Sequence, residues 1–138
     1  MVHKVTGDVM VLVVEDDRDM RSLLCDELEG EGYRLAEAST GDEALEVALM
    51  VQPRLIITDL RMPSGGFDYV LRLHAQVPNS PIIVVTSFGD PRTRRDALRS
   101  GVAAYFDKPV HLADLKDAVK RLLAHSGGSM DGEDSTDP

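Results

Sequence analysis

Hydrophobic positions along the chain follow two alternating patterns. Short continuous apolar runs, rich in Val and Ile, are each followed by a longer segment with apolar residues about every three or four positions. The first pattern is typical of strands buried in a parallel sheet, and the second of amphipathic helices. The chain therefore predicts five strand–helix units, with strands near 9–14, 33–38, 55–59, 81–85 and 103–107.

Local signals place the helix ends. Asp90 and Pro91 are typical of an N-cap followed by proline at the first helical position. Asp17 is interpreted as the cap or first-turn acid of the first helix. The loop at 60–66 contains a proline and two glycines, so no regular element is expected there. Helices are predicted near 18–29, 41–52, 67–76, 91–100 and from 110 onward.

The alternation of strands and helices predicts an α/β domain. Its crossovers should be right-handed, with a parallel sheet covered by helices on both faces. We expect this domain at 9–125, after a flexible N-terminal segment at 1–8. Residues 126–138 are rich in Gly, Ser and Asp without periodicity, so a disordered acidic tail is expected there.

Composition excludes several classes of protein. The formal net charge of −9 should repel nucleic acid phosphates, so direct DNA binding is not expected. Cys25 is the single cysteine, which excludes an intramolecular disulfide and fits a reducing compartment. No apolar stretch is long enough to span a membrane, and the N-terminus has no signal-peptide core. The expected location is the cytoplasm.

Acidic side chains follow two of the predicted strands. Glu15 and Asp16 end the first strand, and Asp59 ends the third. In an open α/β sheet, ligands bind in the crevice beyond the carboxyl ends of the strands, so these acids should meet there. Crowded carboxylates repel one another, and an all-oxygen site suits Mg²⁺. The sequence therefore predicts a magnesium site.

The remaining strand ends add a hydroxyl and a cation. Thr86 follows the fourth strand, and Lys108 follows the fifth. A carboxylate such as Asp59 can attack phosphorus to form an acyl phosphate, whose oxygens a hydroxyl and an ammonium can bind. Taken alone, a strand-end aspartate is more often an exposed loop acid, and a Lys-Pro pair is an ordinary turn. The combination favours phosphoryl chemistry on Asp59.

Four motifs carry a family resemblance: Val-Val-Glu-Asp-Asp at 13–17, Thr-Asp-Leu-Arg-Met-Pro at 58–63, Val-Val-Thr-Ser at 84–87 and Asp-Lys-Pro at 107–109. In this order and spacing they resemble the receiver domain of two-component response regulators. The resemblance implies a flavodoxin-like (βα)5 three-layer sandwich with strand order 2-1-3-4-5. It also implies a phosphorelay function that switches the conformation of the domain to control an output.

The resemblance assigns roles to individual residues. Asp59 is the implied phosphoacceptor, with Lys108 and Thr86 at the phosphoryl group. Glu15, Asp16, Asp59 and the backbone carbonyl of Arg61 are the implied metal ligands. Thr86 and Tyr105 are the implied switch residues, although simple strand packing remains open for Tyr105. A cis peptide bond is implied before Pro109.

The sequence departs from the family pattern in two ways. The loop after Pro63 reads Ser-Gly-Gly-Phe and is about one residue shorter than usual, so its shape should differ. The variable positions two residues beyond Asp59 and Thr86 hold Arg61 and Phe88. Phe88 cannot orient a water molecule, and Arg61 can screen or pair with the phosphoryl group. A long-lived phosphorylated form is therefore expected.

Partners and alternatives follow from the same residues. A histidine kinase or histidine phosphotransfer protein is the implied donor, and an output domain or effector protein the implied target. The helix at 91–100 is rich in arginine, which fits either a solvated face or a surface for an acidic partner. One alternative is an interaction module with this fold and no phosphorylation. Another is a phosphatase of the haloacid-dehalogenase type, which needs an acid at position 61.

Overall fold

The computed structural model describes residues 2–3, 10–87 and 90–126 of the chain. Strands and helices alternate along these residues. The strands are β1 (Val2–His3), β2 (Met10–Val14), β3 (Arg34–Ala38), β4 (Leu55–Thr58), β5 (Ile82–Thr86) and β6 (Ala104–Asp107). The helices are α1 (Arg18–Glu29), α2 (Gly41–Val51), α3 (Phe67–Gln76), α4 (Pro91–Arg99) and α5 (Leu112–Ser126).

The predicted capping residues begin their helices. The Asp17 side chain accepts hydrogen bonds from the amides of Asp19 and Met20, at 3.0 and 3.2 Å. Asp90 accepts one from the amide of Thr93 at 2.7 Å. These contacts satisfy amides that have no partner inside the helix, which is why short polar side chains mark helix starts so reliably. The bounds predicted for α1 and α3 are confirmed to the residue.

The sheet has the strand order β1-β3-β2-β4-β5-β6. Strands β2 to β6 are parallel. When they are numbered 1 to 5 along the chain, leaving out β1, they lie in the predicted order 2-1-3-4-5. Strand β1 was not predicted: Val2 and His3 pair antiparallel with Ala36 and Leu35. The rest of the segment predicted to be flexible lies outside the described residues, as do 127–138 of the predicted tail. Ser126, placed in that tail, instead ends α5.

Two apolar layers enclose the sheet. One lies under α2, α3 and α4 and includes Leu12, Ile56 and Val84. The other lies under α1 and α5 and includes Val11 and Ile57. Residues adjacent in a strand point to opposite faces, so continuous apolar runs supply both layers at once. The unbroken hydrophobic strands in the sequence are therefore explained by a sheet that is covered on both faces.

Helix α4 packs less closely than the other helices. Among the described residues of α4, Ala97 is the buried one, whereas α1 buries Leu24, Cys25 and Leu28. A helix with little buried apolar surface has a low free energy of local opening. Within the described residues, no helix is both long enough and apolar enough to cross a membrane.

Candidate functional site

The acidic residues meet because β2, β3 and β4 are neighbours in the sheet. The amide of Glu15 donates to the carbonyl of Ala38 at 3.0 Å, and the amide of Asp59 donates to the carbonyl of Val14 at 3.1 Å. These bonds continue the parallel ladder beyond the last strand residues. They place Glu15 and Asp59 side by side at the carboxyl edge of the sheet, with Asp16 next in the chain.

Carboxylate oxygens of Glu15, Asp16 and Asp59 lie within 4.8 Å of one another. Glu15 is 2% exposed and Asp59 4%, whereas Asp16 is exposed to solvent. Three acids offering only oxygen, one of them open to water, suit a hard divalent cation that keeps part of its hydration shell. The residues that the sequence named as metal acids are thus compatible with a metal site.

Lys108 lies between the two buried acids. Its Nζ donates to Glu15 Oε1 at 2.6 Å and to Asp59 Oδ2 at 2.8 Å. The Lys108–Pro109 peptide bond is cis, as the family resemblance implied. A single ammonium therefore balances part of the negative charge of two carboxylates from distant segments of the chain.

The pKa values of these three groups are shifted by burial and by their mutual contacts. Burial opposes ionisation of Glu15 more than the bonds from Lys108 and the Asp17 amide favour it, so the pKa of Glu15 is raised. Burial also opposes ionisation of Asp59, but the bonds from Lys108 and the Arg61 amide prevail and its pKa is lowered. Burial disfavours the ammonium of Lys108, yet its two carboxylate partners raise its pKa.

The loop after Asp59 holds its carboxylate from the other side. Asp59 Oδ1 accepts hydrogen bonds from the amides of Leu60 and Arg61, at 2.6 and 3.0 Å. The same loop contacts the N-terminus of α2, where Gly41 donates its amide to the carbonyl of Pro63. A Cβ atom at position 41 would lie 1.8 Å from the Ser64 carbonyl oxygen, so the close approach requires glycine. The irregular conformation predicted for this loop is confirmed.

The side chain of Arg61 bridges two loops at the rim of the site. Its Nε donates to the carbonyl of Ser87 at 3.1 Å, which connects the loop after β4 to the loop after β5. The amide of Arg61 bonds to Asp59, so the backbone of Arg61 is part of the site. Metal binding by the Arg61 carbonyl stays a prediction, and Phe88 lies outside the described residues.

Thr86 and Tyr105 are both buried on the α4 side of the sheet. Within the described residues, neither hydroxyl has a hydrogen-bond partner. The Thr86 hydroxyl is close enough to Asp59 to help lower the pKa of that carboxyl, but no bond of ordinary length forms. The Tyr105 ring points inward, with the Arg94 guanidinium carbon 5.6 Å from the ring centre. Two buried donors are thus available for new partners.

Sequence reasoning missed two residues beside the site. Arg21, on α1, donates to the backbone carbonyl of Glu15 at 2.7 Å and to Glu37 Oε1 at 3.0 Å. No role was predicted from the sequence for either Arg21 or Glu37. The contact joins two elements that no local pattern connects.

The family of this chain follows from its sequence as a whole. Residues 11–120 match the model of the response regulator receiver domain. The chain belongs to this family. Receiver domains are phospho-accepting switches of two-component signalling, and the acids, lysine and threonine described above lie at the strand ends where the sequence pattern had placed them.

Two curated relatives from Bacillus subtilis (strain 168) illustrate the range of the family. The sporulation initiation phosphotransferase F is 28% identical over 114 residues, covering 82% of this chain and 92% of the relative. The transcriptional regulatory protein ResD is 35% identical over 118 residues, covering 86% of this chain. This chain spans only 49% of ResD, so the similarity concerns one part of that regulator.

Solved structures give the same result for the fold. A CheY-like response regulator receiver domain protein from Methanospirillum hungatei JF-1 matches with a TM-score of 0.81 and 26% identity. The match covers 88% of this chain and 98% of that one. The predicted flavodoxin-like fold is confirmed by this similarity together with the strand order.

Proposed function

We propose that Asp59 is the phosphoacceptor of this receiver domain, and that it is phosphorylated with Mg²⁺ held by Glu15, Asp16 and Asp59. The observation that carries the proposal is the position of Lys108, 2.8 Å from Asp59 Oδ2 at a cluster of three acids. A carboxylate that is buried, ionised and paired with an ammonium has the properties of a phosphoryl acceptor.

The reaction proceeds by attack of Asp59 Oδ2 on phosphorus. A new O–P bond forms while the P–N bond of a phosphohistidine, or the P–O bond of a small acyl phosphate, breaks and its electrons leave with the donor. Mg²⁺, when bound, neutralises the phosphoryl oxygens. Lys108 is able to turn from Asp59 to a phosphoryl oxygen because its ammonium is a compact charge on a flexible stem. Asp59 Oδ1 stays anchored by the amides of Leu60 and Arg61.

Phosphorylation supplies a partner for Thr86 and thereby shifts the domain. The phosphoryl group adds negative charge and acceptor oxygens beside a buried hydroxyl that has no partner in the described residues. When Thr86 moves toward it, Tyr105 gains space on the same face. A hydrogen bond to a charged group contributes about 1.5–3 kcal/mol, whereas moving an equilibrium from 1:99 to 99:1 needs about 5.5 kcal/mol. Lys108 or a bound partner must therefore contribute as well.

Partners follow from this role. We expect the phosphoryl donor to be a histidine kinase or a histidine phosphotransfer protein. We expect the recipient of the signal to be an output domain or an effector protein. The domain acts as a switch that is able to assist its own phosphorylation and dephosphorylation, and its expected location is the cytoplasm.

Acetyl phosphate labelling tests the phosphoacceptor. Incubation with acetyl phosphate and Mg²⁺ should add one phosphoryl group to the intact mass of the wild type and none to Asp59→Asn. Asp68→Asn is a matched control, because Asp68 lies on α3 outside the acidic cluster, and it should be labelled like the wild type. Equal labelling of Asp59→Asn would show that another residue is the acceptor.

A magnesium titration tests the metal site. Asp16→Ala should weaken Mg²⁺ binding by at least about tenfold, since it removes one of few protein ligands. The domain should stay folded, because Asp16 is exposed and its loss relieves repulsion among the acids. Amide chemical shifts followed during the titration report both binding and folding. An unchanged magnesium affinity in Asp16→Ala would mean that the acidic pair is misassigned.

The alternative of a receiver fold without phosphorylation makes the opposite predictions. It requires no cation at the acids and no labelling of Asp59. The haloacid-dehalogenase alternative is disfavoured because Arg61 stands where that chemistry needs an acid, and its side chain bridges to Ser87.

A further inference from the structure

Arg21 fixes the peptide group that joins the two acids at the end of β2. The Glu15 carbonyl belongs to the peptide unit whose nitrogen is that of Asp16, and Arg21 Nη1 donates to this carbonyl at 2.7 Å. The amide of Glu15 is already bonded to Ala38. Both backbone polar groups of Glu15 therefore have partners outside their own loop. Rotation of the Glu15–Asp16 peptide would break the hydrogen bond from Arg21 to the Glu15 carbonyl.

This rotation matters most for Asp16. The Glu15 side chain is held independently, by Lys108 at 2.6 Å and by the amide of Asp17 at 3.1 Å. Asp16 is exposed, and the direction of its carboxylate is set mainly by the backbone that carries it. A change in the orientation of the Glu15–Asp16 peptide would move the Asp16 carboxylate away from the other acids.

Glu37 holds Arg21 in this position. Its Oε1 accepts from Arg21 Nε at 3.0 Å, and both side chains are largely buried. Glu37 pairs with Val13 in the sheet, so it extends from a rigid strand rather than from a loop. The carboxylate of Glu37 also balances the positive charge that Arg21 brings near a cation site. The guanidinium reaches the two acceptors from two nitrogens, Nη1 for the Glu15 carbonyl and Nε for Glu37 Oε1, whereas a lysine has one nitrogen for both.

We propose that Arg21, held by Glu37, is a positioning residue for magnesium binding: it fixes the peptide between Glu15 and Asp16 so that Asp16 faces the cation. This inference rests on the proposed function, in which Glu15, Asp16 and Asp59 bind Mg²⁺. Partners that orient metal ligands in this way typically change metal affinity by about 10–100-fold when they are removed.

The sign of the effect separates positioning from simple electrostatics. Removal of a positive charge near the site should, by Coulomb's law alone, increase the affinity for a cation. Loss of positioning should decrease it. Arg18→Met is the matched control, because Arg18 lies on the same helix, carries the same charge and is exposed.

The experiment measures the dissociation constant of Mg²⁺ by chemical-shift titration in the wild type, Arg21→Met, Arg21→Lys and Arg18→Met. We expect Arg21→Met to bind Mg²⁺ about tenfold more weakly. Arg18→Met should bind as tightly as the wild type or slightly more tightly. Arg21→Lys should be weaker than the wild type although its charge is unchanged. In the metal-free state, the amide shifts of Asp16 and Asp17 should change in Arg21→Met and not in Arg18→Met.

Glu37→Gln covers the case in which Arg21→Met does not fold. It keeps an acceptor for Arg21 but removes the charge, so a smaller loss of magnesium affinity is expected. Because the loss of a negative charge weakens cation binding by itself, the metal-free amide shifts of Asp16 and Asp17 are the deciding measurement for this variant, and they should change in the same direction as in Arg21→Met. If the wild type binds Mg²⁺ and Asp16→Ala does not, while Arg21→Met and Glu37→Gln both bind like Arg18→Met, the positioning role is wrong and the metal site stands. If Asp16→Ala binds like the wild type, the proposed metal site itself is wrong.

Discussion

The two sides of the crevice around Asp59 are built differently. The metal flank, defined as Glu15, Asp16, Asp17 and Arg21, is held by hydrogen bonds to β3, to α1 and to Lys108. The switch flank, defined as Thr86, Ser87, α4 and Tyr105, contains two buried hydroxyls without partners among the described residues. Among the described residues of α4, the helix of this flank, only Ala97 is buried.

This difference fits the two tasks of a receiver domain. A metal site needs its ligands in place before the cation arrives, because ordering them on binding would lower affinity. A switch needs a segment whose alternative positions differ little in free energy. In the metal flank the polar groups already have fixed partners, whereas in the switch flank the Thr86 hydroxyl has none among the described residues, as the proposed switch requires.

The packing contrast is tested by two leucine truncations. Leu28 on α1 is 1% exposed, and Leu28→Ala should lower the free energy of unfolding by about 2–5 kcal/mol because it leaves a cavity. Leu98 on α4 is 42% exposed, and Leu98→Ala should cost about 0.5 kcal/mol or less. Urea unfolding measures both. Equal costs would show that α4 is packed as tightly as α1.

The charge balance of the site is tested by Lys108→Met. Removing the ammonium leaves the buried carboxylates of Glu15 and Asp59 without their positive partner. This should lower the free energy of unfolding at pH 7 by about 3 kcal/mol. Lys120→Met, at an exposed position on α5, is the control and should have little effect.

The pH dependence of this difference has a defined sign. The pKa of Asp59 is lower in the folded state than in the unfolded chain. The stability that results is present at pH above the unfolded-state pKa and is lost as pH falls through the folded-state pKa. The raised pKa of Lys108 gives stability that is lost only as pH rises through its folded value, at alkaline pH. The pKa of Glu15 is higher in the folded state, so stability falls as pH rises above the pKa that Glu15 has in the unfolded chain. The deficit of Lys108→Met should therefore shrink as the acids are protonated, and a deficit independent of pH would contradict this account.

Valine substitutions at two buried threonines, Thr58 and Thr86, test whether the Thr86 hydroxyl lacks a partner. Thr58 Oγ1 lies 2.9 Å from the hydroxyl of Tyr69, so Thr58→Val should cost about 1–3 kcal/mol by leaving the tyrosine without that partner. Thr86→Val removes a buried hydroxyl that helps lower the pKa of Asp59 but forms no bond of ordinary length in the described residues, so its cost should be smaller than that of Thr58→Val. Thermal unfolding of the unphosphorylated proteins measures both. A larger loss in Thr86→Val than in Thr58→Val would mean that Thr86 is already bonded.

The smallest expected effect concerns the lifetime of the phosphorylated form. Arg61 bridges to Ser87 at the rim, and the double variant Arg61→Asn with Phe88→Glu should admit and orient water more readily. Phosphate loss should accelerate by up to about tenfold, the equivalent of one net hydrogen bond. The decay of phosphorylated intact mass after removal of acetyl phosphate gives the rate. Equal or slower decay would show that these two positions do not protect the acyl phosphate.

Much of this domain could be read from the sequence because its signals are local. Apolar runs, caps and glycines predicted the bounds of most elements within one or two residues, since each depends on neighbours in the chain. The strand-end positions of Glu15, Asp59, Thr86 and Lys108 followed from the rule that parallel strands share a carboxyl edge. Family membership followed from the motifs at those same ends.

Strand β1 is an example of what the sequence left open. Val2–His3 contains too few residues for a recognisable period, and its pairing with β3 depends on a free sheet edge that exists only after the sheet has formed. The bridge from Arg61 to Ser87 likewise connects loops whose distance depends on the whole fold.

The sequence by itself determined the order of the five strand–helix units, a parallel sheet covered on both faces, and the types of side chain at its carboxyl edge. Only the tertiary structure decided which acid is exposed, that Lys108 spans Glu15 and Asp59, and that Arg21 reaches from α1 to Glu15 and Glu37. The physical reason is one of range. Helix periodicity and capping act over a few residues, whereas charge pairing and burial act through space between segments that the sequence separates.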